Sequence, residues 1–345
     1  MYLVNFEETV RSVLGDSSFV LPYWNYVDGT QRALPAEFLK DGDSVWGSLF
    51  RATRRSDTNS GLPIDADDGD PSPLNAGALG QGTYRPANGR AGFCREIDGN
   101  LHGAVHVRVG DGRGMGSVPW AANDPIFWLH HCNIDRLWAS WNRNGGLNPM
   151  DSWRDKTFVF PDGRGGRVVT PIKAVLAMTD VPYTYEALQP GPTITAAAAT
   201  VPERPQVTIA TARGIAFGAD GAEVQLTPTS GPRPRVVGAS TRRTFVLLSD
   251  LQAKTQPGVL YRVEVQDRAG AWRRVGLLNF FDAVPHGGPG EHDHGTAAMS
   301  DKLFSYDVTA IAGELEANPV VRIRPNGAPD AEAAPVVGKL DIVEN

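Results

Sequence analysis

The sequence predicts an α+β protein with a mainly helical part over residues 1–190, a linker over 191–205 and an antiparallel β-sandwich or barrel over 206–345. Three observations carry this. Apolar residues recur at helical spacing, with start and stop signals, in the first part. GPTITAAAATVPERP, residues 191–205, combines small residues and prolines without any hydrophobic period. After it come short β-branched stretches separated by turns, the pattern of an all-β unit.

Taken in order, MYLVNFEETVRSVLG places Leu3, Val4, Phe6, Val10, Val13 and Leu14 on an approximate helical stripe, and Gly15 is suited to close that helix. Residues 27–92 are rich in glycine, proline and aspartate and read mostly as loop, with short apolar pieces at Phe38-Leu39 and 45–50. Four aspartates between Asp65 and Asp70 read as a solvated loop, because the spacing and terminal glutamate of a calcium-binding EF-hand are absent. A helix is expected from Asp124-Pro125 to about Trp141, with Asn123 or Asp124 as the cap and proline in the first turn, where its missing N–H has no partner in any case. Asn142–Asn148 is a turn. Beyond the linker, strands are expected at 222–226, 243–248, 260–266, 273–281, 302–307, 320–324 and 336–343.

The 345 residues are enough for about two domains and a sizeable core. Lysine and arginine total 33 against 39 aspartates and glutamates, a net charge of −6 with no basic stripe. That excludes a general binder of nucleic acid or anionic membrane, which needs concentrated positive charge. Cys94 and Cys132 make no disulfide scaffold and are expected as free, buried thiols. No apolar run approaches the roughly 20 residues of a membrane helix, and no signal-peptide pattern opens the sequence, so a cytoplasmic location is the default expectation.

Residues 102–138 hold four of the seven histidines. His102 and His106 are four apart, so on a helix both imidazoles share one face a turn apart. That spacing alone equally describes two packing or surface histidines. In the second segment Phe127, His131 and Asp135 recur at i, i+4 and i+8 and share one stripe, with Trp138 near its edge. An all-histidine set leans towards copper among the metals that imidazole binds. His130 lies about 100° from His131 around the helix and reads as a residue that supports the ligands or packs beside them rather than a ligand of the same ion. His292 and His294, like His286, lie in a loop-like stretch, VPHGGPGEHDHG, and the loop reading is preferred over a second metal site.

His102, His106, Asp124, Pro125, Phe127, His130, His131 and Asp135 together form HxxxH followed by DPxFxxHHxxxD, which closely resembles the second copper site of tyrosinases and polyphenol oxidases. The resemblance implies a copper domain of four-helix-bundle type and assigns His102, His106 and His131 as ligands of one copper of a dinuclear centre. Phe127 would limit access, and Asp135 would fix local geometry. Asp98, or Glu96 in its stead, would hold a water near the metal, while Gly103 has no side chain to help orient that water. Since a phenol must lose its proton to coordinate copper, this leans towards diphenols. Tyr2, Leu3, Phe6 and Glu7 resemble the family's YLxxFE, LPYWNY at 21–26 its LPYWDW signature, and Tyr183-Thr184-Tyr185 the closing tyrosine motif of the plant-type enzymes. On that alignment the ligands of the other copper fall before Met1, so at most one copper is expected on this chain. The β part resembles the C-terminal domain that lies over the copper site in latent polyphenol oxidases. The implied activity is oxidation of phenols or catechols to o-quinones with dioxygen. The alternatives are a non-catalytic oxygen-binding relative, resembling hemocyanin units, and a degenerate structural relative.

Overall fold

Helix α1, Tyr2–Leu14, ends where expected, on Gly15 in the left-handed conformation (φ 66°). Its Phe6 stacks face to face on Trp128, ring centres 3.4 Å apart, which lays α1 along the later histidine helix. The computed structural model describes residues 1–195, 206–229, 242–284 and 300–345. Among them the stretch after α1 is loop with brief helical turns, including α2, Ser56–Asn59.

The four aspartates of 65–70 lie in a surface loop, as expected, but not all are left to solvent. Each faces an arginine: Asp65 with Arg32 at 2.6 Å, Asp67 with Arg55, Asp68 with Arg108 at 2.7 Å, and Asp70 with Arg274 of the β part. The partners come from positions far apart in sequence, which is why a local reading missed them.

Helix α3, Gly92–Glu96, runs into a π-helical segment, Ile97–His102, and then α4, Gly103–Val109. The expected plain helix is therefore widened at the first histidine, a distortion common at functional sites. A short α5, Val118–Ala121, precedes α6, Ile126–Arg143. The N-cap of α6 is Pro125, and Asp124 just before it accepts the Ile126 N–H on Oδ1 at 3.1 Å. Its carboxylate is also held by both ends of the Arg54 guanidinium, at 2.8 and 2.7 Å, and Arg54 donates further to the carbonyls of Phe38 and Leu49. The long loop is thereby fastened to the start of α6.

Strands β1, Thr157–Pro161, and β2, Arg167–Pro171, form an antiparallel hairpin that was not among the expected strands. Ile194 is buried in the helical core and its N–H bonds to Asn144 at 2.7 Å, so the chain stays with the helical part through the first residues of the expected linker. Residues 196–205 lie outside the described ones, as do His286, His292 and His294.

The β part is a sandwich. Its five-stranded sheet has the order β5-β3-β11-β6-β9 and its four-stranded sheet β4-β10-β7-β8. The strands are β3 Val207–Ala216, β4 Ala222–Gln225, β5 Thr227–Pro228, β6 Thr244–Gln252, β7 Tyr261–Gln266, β8 Trp272–Leu278, β9 Ser300–Asp307, β10 Val320–Pro325 and β11 Val336–Glu344. All seven expected strands are present within a few residues. The ten-residue β3 and the short β5 were not expected. VTIATARGIA is rich in Ala, Thr and Gly, and only Ala210 and Ile215 are fully buried, so the apolar alternation that marks a half-buried strand is weak. The α+β class with a helical histidine-bearing part is the observed one. Among the described residues no helix is long and apolar enough to cross a membrane.

Each part has its own core, and a third small cluster joins them: Ala104 and Val107 of α4 with Leu260, Leu277 and Phe281 of the sandwich. This seam lies directly against the histidines.

Candidate metal centre

His102 ends the π segment, His106 sits one turn on in α4, and His130 and His131 come from α6. One ring nitrogen from each of the four lies within 4.8 Å of those of the other three. His106 and His130 are fully buried.

The proton positions follow from the partners. His106 Nδ1 lies 2.7 Å from the Met115 carbonyl, which can only accept, so Nδ1 carries the proton. His102 Nδ1 lies 3.0 Å from Asp98 Oδ1. Burial pushes Asp98 up, but the Lys302 ammonium and the His102 hydrogen bond outweigh it and hold the carboxyl well below its usual range, so it too accepts. The two Nε2 atoms face each other at 3.1 Å, a distance at which a proton or a metal ion must lie between them, since two bare lone pairs would repel. The Nε2 atoms of His130 and His131 are buried without a hydrogen-bond partner among the described residues. Burial lowers the His131 pKa to about 3, with the charge of His102 adding to it, and holds His106 and His130 well below the ordinary value. Imidazoles whose Nδ1 atoms are held in His102, His106 and His130, and whose Nε2 atoms are turned to one another or left unpartnered, are what a metal ion requires, so the residues present fit copper.

His130 also borders the site: its ring stacks parallel to His102 at 5.4 Å, and its Nδ1 pairs with the Tyr26 hydroxyl of the LPYWNY stretch at 2.8 Å, which holds the ring beside the other three. Phe127 lies where the stripe put it, 4.0 Å from His131. Asp135 shares the stripe, but its Oδ2 accepts from Tyr183 and Tyr185, both at 2.7 Å, so it fastens the tyrosine motif to α6. Burial raises its carboxyl above the usual range despite those two donors. Asp98 orients His102 directly rather than facing the site alone, and Glu96, held by Asn100, also sits in burial that raises it. Cys94 and Cys132 are not joined in a disulfide; Cys132 is buried and its thiol is pushed up to about 12, whereas Cys94 is half-buried.

The sequence reading gave no site role to the residues of the sandwich. Phe281 stacks on His106, ring centres 3.9 Å apart and nearly parallel, and meets His102 edge-on at 5.5 Å. Lys302 of β9, buried, lies with Nζ 5.4 Å from the centre of that ring. Asn279 packs on Gly103. Nothing in the local pattern of residues 279–302 signals this.

Residues 74–144 match the family model described as the common central domain of tyrosinase. Tyrosinase HcTyr1 of Hahella sp. (strain CCB-MM4) is 28% identical over 386 residues, covering 99% of this chain and 80% of that protein. Aureusidin synthase of Antirrhinum majus is 26% identical over 215 residues, 54% of this chain but only 38% of the length of that relative. Among solved structures, latent apple tyrosinase superposes with a TM-score of 0.62 at 20% identity, covering 99% of this chain and 81% of that one, which is a likeness of fold.

Proposed function

Because this chain belongs to the tyrosinase and polyphenol oxidase family, we propose that it oxidises phenolic substrates with dioxygen at a copper centre held by His102, His106 and His131. The observation that carries the reading is the pair of Nε2 atoms facing at 3.1 Å beside the buried, unpartnered Nε2 of His131, in the residues that make up the family motif. Copper bound there would alternate between oxidation states and so pass electrons from the phenol to dioxygen. One such group of side chains occurs among the described residues, and we assign one copper to this chain.

The protein's own groups do the rest. Asp98 and the Met115 carbonyl keep the Nδ1 protons of His102 and His106 in place, so each presents the lone pair of Nε2. Phe127, against His131, shapes the approach. Asp98 Oδ1 is engaged by His102 and position 103 has no side chain, so the site is poor in groups to take a proton from a monophenol; this supports a preference for diphenols. Phe281, seated on His106, supports a covered, latent state in which the sandwich shields the histidines.

The test is copper loading followed by oxygen-dependent formation of o-quinone from a catechol, read by absorbance, with metal analysis alongside. No quinone from any diphenol would sink the catalytic reading, and two coppers per chain would sink the single site. Cleavage within residues 190–205 is expected to raise activity; unchanged activity would remove the shielding.

A further inference from the structure

Gly103 follows the first histidine of the site, and its backbone (φ −64°, ψ −32°) is ordinary helix. Nothing in that conformation calls for glycine, and in a helix a side chain there would be the more stable choice. What excludes one is a single residue of the other domain. A Cβ on Gly103 would lie 2.7 Å from both Cγ and Nδ2 of Asn279 and closer still to its Oδ1, and these three atoms are its nearest neighbours. The amide cannot swing away. Asn279 is 1% exposed, its Nδ2 donates to the Gly99 carbonyl at 2.6 Å, and its Oδ1 accepts the Phe281 N–H at 3.2 Å. Gly99 lies in the π segment, so the widened turn and the bare position 103 together receive one side chain. The hydrogen bond to Phe281 couples that seat to the ring on His106.

We infer that Gly103 and the Gly99 carbonyl form a socket for Asn279, and that residue 103 thereby determines whether the β-sandwich can seat on the histidine site. A side chain at 103 and a seated Asn279 exclude each other. Gly103 is thus a docking determinant, and its smallness is set by the sandwich. This rests on the reading of the sandwich as the cover of the metal centre.

The test is a double-mutant cycle in the full chain with Gly103→Ala, Asn279→Ala and both together. Two quantities are read: amide hydrogen exchange of residues 99–106 and 277–281, and the rate at which a chelator removes copper from the loaded protein. Gly103→Ala is expected to speed both by roughly tenfold, the size of coupling common between touching residues. In the Asn279→Ala background the same substitution should add no further increase, or slow exchange by improving the helix. An equal effect of Gly103→Ala in both backgrounds, or none in either, overturns the socket. Faster exchange with an unchanged rate of copper removal supports the socket and overturns the cover reading. Should Gly103→Ala fail to fold, recovery of folding in the double variant supports the socket and its absence overturns it.

Discussion

The metal centre has two walls of different origin. One is built by α4 and α6, whose histidines are four residues apart or adjacent in the chain. The other is built by Asn279, Phe281 and Lys302, which reach it from a separate domain more than 140 residues further along. The histidine wall is held by charge and hydrogen bonds: Arg54 to Asp124, Asp98 to His102, Met115 to His106, Tyr26 to His130. The cover meets the rings by stacking, a small apolar seam and one amide, and further out Arg274 pairs with Asp70, Arg55 donates to the Gly258 carbonyl and Ser305 to the Gly89 carbonyl. A wall fixed by directed polar bonds presets ligand geometry, whereas the cover touches the imidazoles themselves by packing and takes the Lys302 and Arg274 cations with it if it leaves.

If that contrast is right, substitutions in the two walls should differ in kind. Arg54→Ala strands a buried carboxylate at the start of α6 and should cost about 3–5 kcal/mol, read as a lower denaturation midpoint. Little loss would mean that Asp124 is satisfied by solvent and the wall is not anchored there. Phe281→Ala should cost about 3 kcal/mol of stability, yet raise the rate of catechol oxidation, because it removes the ring from His106. Loss of both stability and rate would make Phe281 part of the working site and erase the distinction.

Asp98→Asn keeps the shape but replaces an acceptor-only carboxylate, and copper affinity should fall roughly 10–100-fold, measured by competition with a chelator. Unchanged affinity would leave His102 oriented by packing alone. The smallest effect is on the copper-free protein between pH 7 and 6. His106, His130 and His131 are held neutral when folded, His131 down to about 3, but take up protons when unfolded near the ordinary value of about 6.5. The unfolded state binds more protons as pH falls, so stability is full above that value and declines below it. The expected loss over this unit is under about 1 kcal/mol per histidine, and it should persist in the copper-loaded protein, whose rings are likewise unprotonated when folded. Stability independent of pH would show that these rings protonate in place.

By itself the sequence determined whatever depends on neighbours a few residues away. Helical spacing put His102 beside His106 and Phe127 beside His131, Gly15 and Asp124 marked helix ends, and β-branched runs marked most of the strands. Those features follow from φ/ψ preferences and periodicity, which act locally. It did not foresee the arginine partners of the aspartates of 65–70, the Tyr26 contact of His130 or the strand at 207–216, where the deciding partner is remote or the apolar signal is diluted by Ala, Thr and Gly. Only the tertiary structure decided which side chains share a proton with each imidazole, and that Phe281 and Asn279 close the site. Those contacts exist because two separately formed cores meet along one apolar seam, and no local pattern encodes which faces will meet.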